Sequence, residues 1–424
     1  MKKFSSTLFI GIATVSLMGG LLVGCSKSAT STNTASTTAV TTTTSVTTAL
    51  KEGTITIGLV SPQTGGAAPW GLAMVHGLDL AFEDANNAGG VVIGDTHYTF
   101  KLDSLDDQYD TTIATNDLRQ LVYTDGVKYL FTMQTEGSEA MAPVMAQQQV
   151  LNFVEIYDDS IISQPANSYT FRTVIPPSMK EDSYTKWLIK QYPNMKTVAH
   201  LSTNDTNGQI TTQEDDAAAK ANGLTVVSEV YYDTGTTDFT PFLTSMLSKN
   251  PDALFLGGCP SGDCAVIIKQ ARSMGFTGVI SNIAPTSAGD MLSVAGAANL
   301  EGFVSTMMAM QPPDVSQNVI DLAKREVTEW GVSYGSTWDF YSQALVVIAA
   351  IERAKSLDPT VIAKLLEDPT QVWPYDTLVG GQATFGTGIT QTLYSANANH
   401  QIVNPYTISI IHNGQDTNAA VINP

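Results

Sequence analysis

Gly258-Cys259-Pro260-Ser261-Gly262-Asp263-Cys264 is the densest run of chemically capable side chains in this sequence. A nucleophilic thiolate needs a base or a cation beside it, and a zinc site needs a second pair of ligands; the run offers neither. In an oxidising compartment two nearby cysteines close a tight loop, so a Cys259–Cys264 disulfide is the expectation, with two free thiols as the alternative. The acidic run Asp103, Asp106, Asp107 and Asp110 lacks the glycine and spacing of an EF-hand loop and reads as a solvated loop at a strand end. His76, His97, His200, His400 and His412 show no metal-ligand spacing, so surface or packing roles are expected. There is no G-x-S-x-G elbow, no H-E-x-x-H and no Walker loop. No nucleophile, base and orienting group can be assembled from these residues. The expectation is a protein that is not an enzyme, with no catalytic residue, metal or cofactor.

The chain opens on Met1-Lys2-Lys3, continues through an apolar run broken by Gly11, Gly19 and Gly20, and reaches Leu22-Val23-Gly24-Cys25. A positive start, an apolar stretch and small residues before the end form an export signal. Its cysteine ending resembles a bacterial lipobox, which implies cleavage before Cys25 and lipid on that thiol. The alternative is an uncleaved anchor, since Thr7 to Val23 nearly reaches the roughly 17–25 residues of a membrane span. Either way the body is tethered outside the cytoplasm. From Ser26 to about Leu50 the chain is mostly Thr, Ser and Ala, too poor in apolar surface to offset chain entropy, and reads as a disordered stalk. Roughly 370 residues follow, enough for two domains. The formal charge of −19 excludes binding of nucleic acid or anionic lipid through a basic patch.

The residues of a site depend on the elements that place them. Thr54–Val60 is a strand by its β-branched content. Met74, Leu78, Ala81, Phe82 and Ala85 share one helix face, and Gly89-Gly90 ends that helix. Strands at 98–104 and 129–132 alternate with helices at 111–124 and 138–148. A second series runs helix 179–192, strand 197–202, helix 208–222, strand 224–230, helix 238–249, strand 253–257, helix 264–274 and strand 279–282. Helices at 316–330 and 337–356 and a few short strands complete it. Such alternation implies right-handed βαβ units and parallel sheets, hence two α/β lobes. Ligands of open α/β sheets bind where strands end. That rule selects 61–70, 132–138 and 155–159 in the first lobe, and 202–207, 257–263 and 282–287 in the second. These loops hold Trp70, Tyr157, Asn207, hydroxyls, amides and acids with little positive charge, a composition suited to a small-molecule site.

Gly58-Leu59-Val60-Ser61-Pro62-Gln63-Thr64-Gly65, behind an export signal, is similar to the opening of type I periplasmic binding proteins. Ala85-Asn86-Asn87-Ala88-Gly89-Gly90-Val91, Asp106-Asp107-Gln108, Phe171-Arg172-Thr173, Thr237-Asp238-Phe239, Asn250-Pro251-Asp252-Ala253, Gln270-Ala271-Arg272-Ser273-Met274-Gly275 and Ala295-Gly296-Ala297-Ala298-Asn299-Leu300-Glu301-Gly302 extend the resemblance in register to about residue 390. Their order looks like the branched-chain amino acid (Leu/Ile/Val) binding group. The resemblance implies an α/β fold of two Rossmann-like, doubly wound lobes joined by three crossings, near Arg172, near Met307 and within Gln391–Gln401. The organisation implied is a signal peptide at 1–24, a lipidated stalk at 25–51, one lobe from 52–172 with 308–390, and the other from 173–307 with 391–424.

For the site, the resemblance places Trp70 against the apolar part of the ligand. It places Thr135, Glu136, Gly137 and Ser138 at the helix start that holds the ligand's carboxylate, although Glu136 repels an anion unless turned away. Tyr157 and Asp158 occupy a region where a threonine often helps. Cys259 falls where a tyrosine is common, and Ala284 where an acid usually pairs with the α-ammonium; Glu136 or Asp158 could supply the missing acid. Structural roles for the same residues are packing for Trp70 and helix capping for Ser138. The function implied is a monomeric, lipid-anchored receptor that closes on a branched-chain amino acid or a related amino acid, aromatic acid or amide. It would deliver this solute to an ABC permease with a cytoplasmic ATPase. The alternative is a sensory receptor of the same fold that signals to a chemoreceptor or kinase.

Overall fold

The computed structural model describes residues 50–162, 168–307, 317–368, 370–371, 373–374, 382–385, 400–403 and 406–422. The signal, Cys25, the stalk to residue 49 and most of the expected third crossing, 391–399, lie outside the described residues. The first lobe opens with β1 (Lys51–Ser61), α1 (Ala68–Asn87), β2 (Val91–Ile93), β3 (Thr96–Asp106), α2 (Thr111–Arg119), β4 (Tyr129–Thr132), α3 (Thr135–Gln148), β5 (Leu151–Val154) and β6 (Thr170–Arg172). The second runs α4 (Pro177–Gln191), β7 (Thr197–Thr203), α5 (Thr206–Ala221), β8 (Thr225–Tyr232), α6 (Thr240–Leu247), β9 (Ala253–Phe255), α7 (Ser261–Ser273), β10 (Val279–Asn282), α8 (Ala288–Ala295), α9 (Ala297–Leu300) and β11 (Val304–Ser305). There follow α10 (Gln317–Trp330), α11 (Thr337–Ala354), α12 (Pro359–Glu367), β12 (Trp373–Pro374), β13 (Gln382–Phe385), β14 (Ile402–Val403), β15 (Tyr406–His412) and β16 (Gln415–Ile422).

Among the described residues, the first sheet has the order β2-β3-β1-β4-β5-β6 and the second β16-β15-β11-β10-β9-β7-β8; β12-β13-β14 form a small third. The inner strands are parallel, as the alternation predicts, but each large sheet carries an antiparallel edge. β2 returns on β3 through a tight turn, and β15 runs antiparallel to β11 and β16. Arg172 and Gln401 form a parallel bridge, which lays two passages of the chain side by side at the base of the cleft.

One face of the first sheet is closed by α1 and α11. Ile57, Leu59, Phe131, Phe153 and Phe171 meet Met74, Leu78, Ala344, Val347 and Ile351 in a single apolar cluster. Gly77 sets the approach of the two helices, since a Cβ there would stand 2.5 Å from the Thr337 carbonyl and 2.8 Å from Phe340 Cβ. That contact brings the first turn of α11, distant in sequence, to the ends of β1 and β5. The second sheet has apolar clusters around Leu254, Ile268 and Met291 and around Tyr184, Val198 and Ile408.

The acidic run is only partly the solvated loop expected. Asp107 is fully buried, and burial pushes its carboxyl up to about 7. The run accepts backbone amides: Asp106 those of Gln63 and Gln108, Asp107 that of Tyr109, and Asp110 those of Thr112 and Ile113 at the start of α2. His76 is a packing histidine, 2.8 Å from Glu326 and stacked on Trp330.

Candidate functional site

Strand ends and the starts of α1, α4, α5 and α11 converge on a cavity of about 150 Å³ between the sheets, a size that suits a ligand on the scale of one ring. From the first lobe come Trp70 in the first turn of α1, Tyr109 after β3, Met133 after β4, Glu155 and Tyr157 after β5, and Trp338, Asp339 and Phe340 from α11. From the second come Lys180 of α4, Asn207 of α5, Gly258 after β9, Pro285 after β10, Thr306 and Met307 after β11, and Tyr406 and Thr407 of β15. The walls are largely aromatic and aliphatic, with hydroxyls, two carboxylates and one ammonium among them.

Local structure explains how several of these side chains arrive. Gln108 and Tyr109 both hold positive φ, 54° and 59°, a conformation that costs about 1–2 kcal/mol for a non-glycine residue. The aspartates that take their amides hold this turn, and it carries Tyr109 to the cavity, where its hydroxyl reaches Asn207 and Asp205. Arg172 is fully buried and donates to the Tyr157 carbonyl at 2.8 Å and to Asp159 at 2.6 Å, with Gln401 as its third partner. Thr173 Oγ1 donates to Glu155 Oε1 at 2.5 Å. The Phe171-Arg172-Thr173 segment thus fixes both Tyr157 and Glu155.

Glu155 Oε1 also accepts from Gln343 Nε2 at 2.8 Å, and the same amide donates to Asp339 Oδ2 at 3.0 Å. Burial, then the Asp339 carboxylate, push Glu155 up to about 8. Burial lowers Lys180 to about 8, against the opposing pull of Glu181, Glu155 and Asp339. The cavity therefore holds Glu155 raised to about 8, beside Asp339 and facing a lysine.

Beyond the Tyr109 hydroxyl, several hydrogen bonds among the described residues join the lobes across the cleft. Trp70 Nε1–H donates to the Pro285 carbonyl at 3.0 Å, and the Tyr157 amide to Asn207 Oδ1 at 3.2 Å. The Thr206 amide donates to Glu136 Oε1 at 2.9 Å, and the Gly262 amide to the Gly66 carbonyl at 3.1 Å. This is a closed arrangement.

Of the residues expected at the ligand, the structure brings Trp70, Tyr157 and Asn207 to the cavity wall and places the others elsewhere. Thr135, Gly137 and Ser138 are buried inside the first lobe, where the Gln134 side chain, rather than a ligand, takes the Gly137 amide. Glu136 is turned outward onto α5 of the other lobe. Asp158 caps the turn Asp159–Ile162 through the Ser160 amide at 2.6 Å. Ala284 is buried behind its neighbour Pro285. Cys259 lies beneath Gly258, 3.2 Å from the Tyr232 hydroxyl.

The expected Cys259–Cys264 disulfide is not formed; both are buried free thiols. The two thiols are neighbours at the start of α7, each also held by polar groups around it. Cys264 Sγ contacts the Cys259 carbonyl at 3.4 Å and Asn282 Nδ2 at 3.3 Å. Burial pushes the Cys259 thiol well above its ordinary range, which also removes it as a nucleophile.

Glu155, Lys180, Tyr109 and the Trp338-Asp339 pair were not assigned to the site from sequence. Glu155 lies in a loop the strand-end rule selects. Lys180 and Asp339 sit in first helical turns and carry no motif.

A family model described as periplasmic binding protein matches residues 54–415. A Leu/Ile/Val-binding protein homolog 3 of Brucella melitensis is 23% identical over 333 residues, covering 77% of this chain and 86% of that relative. A branched-chain amino acid ABC transporter structure from Thermus thermophilus, with bound valine, superposes with a TM-score of 0.73 at 16% identity, covering 88% of this chain and 98% of that one. A solute-binding protein of R. palustris in complex with benzoate gives 0.72 at 15% identity, covering 88% and 97%. The strand-end cleft, the two sheets and this match over most of the chain agree: the protein belongs to the periplasmic binding protein family, in the type I group that includes the Leu/Ile/Val-binding proteins.

Proposed function

We propose that this protein is the solute receptor of an ABC importer and captures an amino acid, of the branched-chain or a closely related kind, between its lobes. The observation that carries the reading is the acid pair Glu155 and Asp339, joined through Gln343 on the wall of a largely aromatic and aliphatic cavity. A buried carboxylate needs a cationic partner, and an α-ammonium supplies one. An aromatic acid lacking an amine would bring this pair no cation and only add an anion beside it. Trp70, Phe340 and Trp338 would cover the apolar side chain. Closure is then a population shift, driven by contacts the ligand makes only when the lobes meet, and the solute leaves unchanged.

The same reading takes Cys25 as the lipidated residue and the stalk as its spacer, with one lobe from 52–172 and 308–390 and the other from 173–307 and 391–424. The closed monomer would dock on a permease with a cytoplasmic ATPase. A thermal-shift screen of the purified protein against the standard amino acids, aromatic acids, amides and sugars tests the reading. A native-state ligand at 100 times Kd stabilises by about 2.7 kcal/mol. The largest shift should come from an amino acid; a shift confined to aromatic acids, amides or sugars would refute it.

A further inference from the structure

An amino acid brings a carboxylate as well as an ammonium, and the resemblance assigns that carboxylate to the start of α3. Here that helix start is filled from within. The Gly137 amide donates to Gln134 Oε1 at 2.5 Å and the Ser138 amide to the Gln134 carbonyl at 3.2 Å. Ser138 Oγ is engaged with the Gln134 carbonyl at 2.7 Å and Thr132 Oγ1 at 2.9 Å. Gln134 Nε2 donates to Glu136 Oε2 at 2.6 Å, while Glu136 Oε1 takes an amide of the other lobe. An arriving anion would meet the Gly137 and Ser138 donors already taken and a carboxylate beside them; Thr135 Oγ1 is left buried without a partner among the described residues, but none of these residues lines the cavity.

Lys180 is placed the opposite way. It lies in the first turn of α4, is 3% exposed and lines the cavity. Its Nζ donates one long hydrogen bond, 3.4 Å to the Ile283 carbonyl, and lies 5.9 Å over the Tyr157 ring centroid. No ion pair reaches it among the described residues, although Glu181, Glu155 and Asp339 lie near enough to favour its charge. An ammonium carries three donors. A buried charge with one weak partner is costly, so the arrangement is complete only when an anion enters.

We propose that Lys180 receives the carboxylate of the bound ligand, whose ammonium turns toward Glu155 and Asp339. The ligand then spans the cleft from α4 of one lobe to α11 of the other, and capture requires both of its charges. This rests on the amino-acid reading and adds a direction to it. Lys180 remains cationic at neutral pH, because burial brings it down only to about 8.

The test is isothermal titration of wild type, Lys180→Met, Lys180→Gln, Lys180→Arg and Ser138→Ala with L-leucine and with L-leucinamide, which lacks the carboxylate. Lys180→Met and Lys180→Gln should weaken L-leucine by about thirtyfold or more, the worth of a desolvated charge partner, and leave L-leucinamide within threefold. Lys180→Arg should restore part of the loss, and Ser138→Ala should change nothing. Equal losses for both ligands, or a loss in Ser138→Ala with none in the lysine variants, would overturn the proposal. If wild type binds neither L-leucine nor any other standard amino acid, the amino-acid reading fails by itself. Benzoate then tests the lysine alone: binding abolished in Lys180→Gln supports an anion site, and binding that is absent or indifferent to the substitution overturns it.

Discussion

Two pairs of acids invite comparison, one in the cleft and one inside the second lobe. Glu155 and Asp339 share the Gln343 amide, and Glu155 also takes a hydroxyl from Thr173. Glu181 and Asp215 are 2% and 3% exposed and lie side by side. Neither oxygen of Glu181 has a donor among the described residues. His200 lies 3.9 Å from Asp215, but burial lowers it to about 4, so it faces the acids as a neutral ring. The first pair has donors that persist when it ionises and a cavity through which a cation can arrive. The second lacks a donor on Glu181 among the described residues, and there burial outweighs the pull of nearby Lys180, so the pair keeps a proton. An acid pair thus signals a site where donors and access accompany it, and stored strain where they do not.

Glu155→Gln should have the largest effect. It keeps the hydrogen bonds to Thr173 and Gln343 but removes the charge, and should cost L-leucine affinity about 2–5 kcal/mol by titration calorimetry. Glu181→Gln should leave affinity within threefold; equal losses from the two would erase the contrast. Trp70→Ala should cost about 1–3 kcal/mol of affinity if the ring packs on solute, and unchanged affinity would make the Trp70–Pro285 contact purely a lobe latch.

The interior pair answers to pH. Burial raises Asp215 to about 7 and Glu181 well above its ordinary value. The folded state therefore holds protons there that the unfolded chain has released. Stability from this pair is complete below the ordinary carboxylate range and falls as pH rises toward and through about 7. His200 acts oppositely, because its lowered value makes the unfolded chain the better proton binder below about 6.5, but it offsets only one of the two acids. Asp215→Asn should therefore raise stability at pH 8 by about 1–3 kcal/mol, the cost of a buried group left unsatisfied, and flatten the dependence of Tm on pH. A pH profile identical to wild type would contradict this. The smallest effect concerns the thiols: the unfolded, unreduced protein should titrate free Cys259 and Cys264, and reductant should leave Tm unchanged.

Much of the fold could be read in the residues because period and punctuation are local. Tyr129–Thr132 and Val279–Asn282 are strands over the stretches their composition marked, and α11 begins at Thr337 as expected. The antiparallel edges β2, β15 and β16 were not legible, because strand direction depends on the partner rather than on the strand's own residues. The site was half legible. Trp70, Tyr157 and Asn207 follow from strand ends, and Glu155 lies in a loop the same rule selects. Asp339 arrives only because Gly77 lets α11 close on α1. Lys180 depends on how α4 packs after the first crossing. The α3 start stands away from the cavity wall for a specific reason: Gln134, a residue outside the usual capping set, folds its own side chain onto the Gly137 amide.

The central claim is that the cleft acids receive the ligand's ammonium. The most direct measurement is proton release on binding, read by titration calorimetry at pH 7 in phosphate and in Tris, with the amino acid that gives the largest thermal shift. With Glu155 near 8 in the empty site, arrival of an ammonium should expel close to one proton. Affinity should also rise up to tenfold per pH unit between about pH 6 and 7, before Lys180, itself near 8, begins to lose its charge. A binding heat independent of buffer, or proton uptake on binding, would contradict the account.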